Sequence, residues 1–222
     1  MKKKQVIWRR SISVFLALLL CLTLLPAAAL AANTTTPRIT AIGGEDGLSI
    51  STNDHGSGWS YDAGSKTLTL DGYNGGRIEV VGNKSQNFTL KLVGNNTIKN
   101  SGSGYGLTVT SEDTSYPDKP DNYMNFTITG ESGARLDVNG IDIVKRVNFI
   151  IGGSTNVVSE TTAENVCALK GGGDGNCSVT IQGNTNVTLR SGVEQTQNTF
   201  TTNSTGSANI FNTSFIGSTP FF

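Results

Sequence analysis

Between residues 58 and 190 apolar and polar positions alternate in short runs, among them Thr67-Leu68-Thr69-Leu70, Phe88-Thr89-Leu90-Lys91-Leu92, Phe126-Thr127-Ile128 and Val179-Thr180-Ile181. A period of two with β-branched and aromatic enrichment is the pattern of strands that bury one face. Gly and Asn punctuate the runs and supply the left-handed conformations of tight turns. Helical periodicity is nearly absent after the N-terminal segment, so the pattern predicts an all-β domain.

Self-comparison sharpens this expectation. A strand ending in an apolar residue, then one residue and a Gly, recurs as Leu70-Asp71-Gly72, Leu92-Val93-Gly94, Ile128-Thr129-Gly130, Ile151-Gly152-Gly153 and Ile181-Gln182-Gly183. After three of these glycines comes a near-copy: Asn96-Thr97-Ile98, Asn156-Val157-Val158 and Asn186-Val187-Thr188. The Gly-to-Gly intervals are 22, 36, 23 and 30 residues. The shortest suit one turn of a β-solenoid, and the longer ones need insertions on the same frame. Residues 115–122, with two prolines and several charges, suit a protruding loop in the longest interval. One such turn cannot bury its apolar residues alone, whereas stacked turns bury a continuous column. The expected fold is a β-solenoid, with a β-sandwich as the alternative.

The stretch Gly58-Trp59-Ser60-Tyr61-Asp62-Ala63-Gly64-Ser65-Lys66-Thr67-Leu68-Thr69-Leu70-Asp71-Gly72-Tyr73 reads as a hairpin turning at Ala63-Gly64. Trp59 and Tyr61 then share a face and cover the N-terminal end of the stack as a cap. On these residues the chain resembles a module of secreted Gram-positive proteins, in which a Trp-x-Tyr-Asp…Lys-Thr-Leu-Thr-Leu-x-Gly-Tyr opening precedes Gly-x-Asn-Thr-Ile turns. It is more distantly similar to the parallel β-helix carbohydrate-binding proteins of cellulolytic clostridia. The resemblance spans residues 58–189 and implies a right-handed parallel β-helix on the cell surface that binds plant or host polysaccharide.

The N-terminus adds a compartment. Met1-Lys2-Lys3-Lys4 with Arg9 and Arg10, an apolar run from Val14 to Leu25, and Ala29-Leu30-Ala31 form a secretory signal over residues 1–31. The apolar core falls short of the ~20 residues needed to span a bilayer, so no transmembrane segment is expected in the mature chain. Residues 32–57 form a leader with the first strand, 58–190 the β-helix domain, and 191–222 a Thr/Ser/Asn-rich segment that is either truncated or folds back as an apolar cap. Removing the signal takes five of the 17 basic residues and none of the 17 acidic ones, leaving a formal net charge of about −5. An acidic domain without a basic run is a poor fit to nucleic acid or anionic membranes. Two cysteines remain, Cys167 and Cys177. Export permits a disulfide between them, and two thiols in adjacent strands are the other reading. Two cysteines and the single His55 fall short of a structural zinc site.

Candidate chemistry is sparse. The densest charged cluster, Asp137, Asp142, Lys145 and Arg146, offers the groups a polysaccharide lyase or hydrolase needs, provided they converge on one bond. Its blander reading is a solvated charged turn. The glycine run at 171–176 has the residues of a calcium-binding nonapeptide, but in one copy and out of register, so an ordinary turn is expected. For glycan binding, sugar rings stack on exposed aromatic faces, and Tyr73, Tyr105, Tyr116 and Tyr123 lie near turns or in the insertion. The sequon Asn87-Phe88-Thr89 carries little information where Asn and Thr abound. The expectation is a secreted, non-enzymatic glycan-binding or adhesive module whose partner is a polysaccharide or cell-wall glycan. A polysaccharide lyase or hydrolase and a structural fragment of a larger adhesin are the alternatives. No resident cofactor is expected; calcium enters only as a bridge between carboxylates and an acidic polysaccharide.

Overall fold

The computed structural model describes residues 36–113, 123–163, 166–171, 177–191, 195–196, 202–204 and 215–216. The signal at 1–31, the insertion at 115–122 with Tyr116, and residues 172–176 of the glycine run lie outside them.

Strands follow one another at short intervals: β1 (Arg38–Ile42), β2 (Glu45–Ile50), β3 (Asp54–Gly56), β4 (Trp59–Asp62), β5 (Thr67–Asp71), β6 (Asn74–Gly75), β7 (Ile78–Gly82), β8 (Asn87–Val93), β9 (Asn95–Ile98), β10 (Leu107–Ser111), β11 (Met124–Gly130), β12 (Arg135–Val138), β13 (Ile141–Ile143), β14 (Val147–Ile151), β15 (Asn156–Thr161), β16 (Leu169–Gly171), β17 (Ser178–Ile181), β18 (Asn186–Ser191), β19 (Gln195–Thr196), β20 (Thr202–Ser204) and β21 (Phe215–Ile216). The described residues form no helix. The protein is all-β.

Three open sheets hold nearly all the strands. Their orders are β16-β13-β10-β7-β1-β2, β20-β17-β14-β11-β8-β5-β4-β3 and β18-β15-β12-β9-β6. From β5 to β18 consecutive strands enter the eight-, five- and six-stranded sheets in rotation. Up to β15 each strand there pairs in parallel with the strand three places on, as β5–β8, β8–β11, β9–β12 and β10–β13 do. Among the described residues antiparallel pairing is confined to the start, in β1–β2, β1–β7, β3–β4 and β4–β5. A sandwich of antiparallel neighbours does not have this connectivity.

The alternation seen in the sequence explains the parallel stacking. In β8 every second residue is buried, with Phe88, Leu90 and Leu92 inward and Thr89 and Lys91 outward. A strand this short cannot keep those apolar groups from water alone, but in-register neighbours stack like on like. Phe88, Phe126 and Phe149 occupy equivalent positions, with Tyr61 of the hairpin before them. Their ring centroids lie 5.8, 5.6 and 5.3 Å apart along the series, and all three pairs are stacked. Beside them runs Leu68, Leu90, Ile128, Ile151 and Ile181. The six-stranded sheet supplies Ile78, Leu107, Ile141 and Leu169. These inward residues, with those of the five-stranded sheet, make one continuous core.

The register corrects the motif alignment. Gly130 pairs with Leu92 rather than Gly94, and equivalent positions in β8 and β11 are 38 residues apart, not 36. The later spacings of 23 and 30 stand. The near-copies slip by one as well. Asn96 lies opposite Leu136, which lies opposite Val157, so Asn95 rather than Asn96 is the counterpart of Asn156 and Asn186. A one-residue slip reverses every side chain. Asn96 is therefore buried, where it donates to Val93 O at 3.1 Å and accepts from Tyr73 N–H at 3.0 Å. Asn186 is outward and donates to the Asn156 amide oxygen at 2.9 Å. Thr155 and Thr185, buried at two later corners, do related work by donating to Gly152 O and Gln182 O at 3.2 and 2.9 Å. Such bonds satisfy backbone groups that no ladder reaches. Gly183 turns the corner at φ +71°, and a side chain there would meet Gly153 O.

The opening hairpin turns where expected. Asp62 pairs with Thr67, and its carboxylate accepts from Gly64 N–H at 2.8 Å and from the Ser65 hydroxyl at 2.9 Å. The Ser65 hydroxyl, then the Gly64 amide, hold this carboxyl below the usual range. Two sets of ion pairs attach the antiparallel start to the parallel strands: Arg38 pairs with Glu112, and Arg77 reaches Asp46 at 2.7 Å and Glu79 at 3.2 Å. Within that start the Tyr61 hydroxyl donates to Pro37 O at 3.2 Å.

Candidate functional site

Two of the four tyrosines proposed as sugar platforms are structural. Tyr73 and Tyr123 are each only 2% exposed, so neither offers a ring face to a ligand. The Tyr73 hydroxyl accepts from Gly43 N–H at 2.9 Å and donates to Gly76 O at 3.0 Å, clipping the β1–β2 turn to the chain ahead of β7. Tyr105 is half-buried and accepts from Cys167 N–H at 3.3 Å. Tyr116 lies outside the described residues.

The charged cluster does not gather. Asp137 faces outward from β12 in the five-stranded sheet, held by both arms of Arg135 at 2.8 and 2.6 Å. Asp142 faces outward from β13 in the six-stranded sheet, 3.4 Å from Lys170. Lys145 and Arg146 occupy the corner between β13 and β14, where Arg146 is buried and donates to Asp113 O at 2.6 Å. Neighbours in sequence are thus divided between two sheets and a corner, which is not the convergence acid–base chemistry requires.

Lys170 and Tyr105 were not grouped with Asp142 by sequence, and the fold brings them together. The Lys170 ammonium lies 5.5 Å from the Tyr105 ring centroid while pairing with Asp142. The Asp142 side chain is 14% exposed, and its Oδ1 is buried without a hydrogen-bond partner among the described residues. Burial pushes the Asp142 carboxyl up, against the pull of Lys170. Burial also pushes up the Tyr105 phenol and the Cys167 thiol. Register pairing of β13 with β16 could have revealed this group, but Asp142 and Lys170 are 28 residues apart. No disulfide joins Cys167, which is buried, to Cys177, which is partly so. Among the described residues no three His, Cys, Asp or Glu side chains are grouped as a metal ion needs. No helix among them is long and apolar enough to cross a membrane.

The most regular surface is the outer face of the eight-stranded sheet. One file runs Asn87, Asn125, Asn148 and Ser178 across β8, β11, β14 and β17. Beside it a second runs Thr67, Thr89, Thr127, Ile150 and Thr180. The first file is bonded along its length and in one direction. The Ser178 hydroxyl donates to Asn148 Oδ1 at 2.8 Å, Asn148 to Asn125 Oδ1 at 3.0 Å, and Asn125 to Asn87 Oδ1 at 2.9 Å. Neither file contains a charged residue; Lys91 opens a third file between Thr69 and Thr129. Sequence reading passed over this face although its unit was visible. The sequon Asn87-Phe88-Thr89 is one copy of a tripeptide repeated as Asn125-Phe126-Thr127, Asn148-Phe149-Ile150 and Ser178-Val179-Thr180. Its middle residue is the core column and its flanks are the two files.

No family model matches the chain, and neither a curated protein nor a solved structure matches it.

Proposed function

We propose that this chain is an exported, non-catalytic surface module whose three parallel sheets wind as a right-handed β-helix and which binds polysaccharide. The observation that carries the reading is the pair of outward files of amide, hydroxyl and methyl groups on the eight-stranded sheet. Amides and hydroxyls both donate and accept, which is the hydrogen-bonding character of a sugar surface. The rotation of consecutive strands through three sheets supports the helical winding. The polar face, rather than a set of tyrosine platforms, is then the recognition surface. Export rests on the signal at 1–31 and non-catalytic action on the dispersal of the charged cluster.

The test is retention of the mature protein on a panel of neutral and acidic polysaccharides, each with calcium and with chelator. Retention on at least one polymer is expected. Acidic polymers are expected to hold the protein only with calcium, because a domain of net charge about −5 repels them otherwise. Failure on the whole panel contradicts glycan binding and favours a structural segment of an adhesin. The Asp142–Lys170 pair, with a buried carboxylate oxygen lacking a partner, favours the second reading of a polysaccharide lyase or hydrolase. Release of unsaturated or reducing ends from pectin that Asp142→Asn abolishes would establish that reading instead.

A further inference from the structure

The asparagine file spends part of its bonding capacity on itself. The amide oxygens of Asn87, Asn125 and Asn148 each accept from the next member, so none is wholly available to a single sugar. What the face offers instead is repetition. Equivalent side chains recur across the strands every ~4.8 Å, and the two files stand ~6.6 Å apart along each strand. The β-branched residues of the second file are stiff about χ1, and the bonded amides hold one another in line, so the array is ordered before anything binds. Sites for single soluble ligands are concave and converge polar groups on one molecule. This face is the outside of a sheet, and each of its contacts is weak. Many weak contacts give firm binding only when one partner engages them together. The partner must therefore repeat in two dimensions at a commensurate spacing. Pyranose units in an extended chain rise by a length close to the strand spacing, and chains packed side by side supply the second repeat. The absence of charge on both files, set in an acidic mature chain, selects a neutral polymer.

We infer that the Asn/Ser and Thr files of the eight-stranded sheet bind the ordered surface of an insoluble neutral polysaccharide, chains lying side by side, in preference to a single dissolved chain. The inference rests on the glycan reading above and narrows its ligand.

The experiment is depletion of the mature protein from solution by microcrystalline cellulose and by chitin, in competition with soluble oligosaccharides of each. Thr127→Arg places a charged bulk at the centre of the array. Thr188→Arg makes the same change on the outer face of the five-stranded sheet. Thr127→Val keeps the shape of the side chain and removes its hydroxyl, and is read in place of the arginine variant should that variant melt lower than the parent. Expected results are firm retention on at least one insoluble polymer, little competition from its soluble oligosaccharides, a loss of about ten-fold in affinity for Thr127→Arg and no change for Thr188→Arg. Equal affinity for soluble chains overturns the ordered-surface inference and leaves glycan binding standing. Retention unaffected by both Thr127 changes overturns the assignment of the face. No retention on any glycan overturns both, and if the protein then shapes growing ice crystals in a Thr127-dependent way, the array recognises a water lattice instead.

Discussion

The Asp142 carboxyl faces Lys170 at 3.4 Å, yet burial raises its proton affinity above the ordinary carboxylate range. A carboxyl whose folded pKa exceeds its unfolded value favours folding in its protonated form, so its ionisation at neutral pH opposes the fold. Asp142→Asn should therefore melt higher than the parent at neutral pH, with the gap closing as pH falls through the raised folded pKa to the ordinary carboxylate range and absent below it. Thermal melts over that range check it, and a variant that melts lower at neutral pH would mean that the Lys170 pair outweighs burial. At Tyr73 the hydroxyl serves one donor and one acceptor. Tyr73→Phe should cost about 1–3 kcal/mol in urea unfolding, the worth of two part-buried hydrogen bonds. These roles were illegible in sequence. A tyrosine beside a glycine looks alike whether it faces solvent or clips a turn, and only the three-dimensional neighbours of Tyr73, Tyr105 and Tyr123 decide.

Strands were the most legible element, because burial of one face writes itself directly as period two. Residues 88–92 and 126–128 needed nothing more. Register was less legible, since a motif search aligns residue identity while the fold aligns inward positions. Gly94 and Gly130 look equivalent, yet the in-register partner of Gly130 is Leu92, and Asn96 points inward where Asn156 points out. The stacked rings and the outward ladder both belong to the same tripeptides, which invites a comparison of their weights. Phe126 is fully buried between Phe88 and Phe149. Phe126→Ala should cost about 3–5 kcal/mol through lost transfer energy and the cavity left behind. Asn125→Ala, which breaks two ladder bonds at a half-exposed site, should cost at most about 1.5 kcal/mol. Chemical unfolding of both measures the ratio; comparable losses would mean that the amide file holds the register as firmly as the core.

At the scale of the whole molecule, sequence supplied the all-β class and the idea of a repeat, while the rotation through three sheets came only from the structure. Pairing with a strand three places on lies beyond any local pattern, because the residues that meet are separated by 22 to 38 positions in the eight-stranded sheet. The proposed binding face depends on this register, since a slip of one residue would bury its asparagines and expose its phenylalanines. Disulfide trapping reads that register directly. In a background with Cys167→Ala and Cys177→Ala, Asn87→Cys with Asn125→Cys places two thiols on facing positions of parallel strands, ~4.8 Å apart and within bridging range. Asn87→Cys with Thr127→Cys offsets the second thiol by two residues, to a Cα separation of about 8 Å that a disulfide does not span without backbone movement. Mild oxidation followed by non-reducing peptide mapping should find the first pair bridged in nearly all molecules and the second pair free. Bridging of the offset pair, or of neither, would contradict the parallel in-register stack on which both the core and the proposed binding face depend.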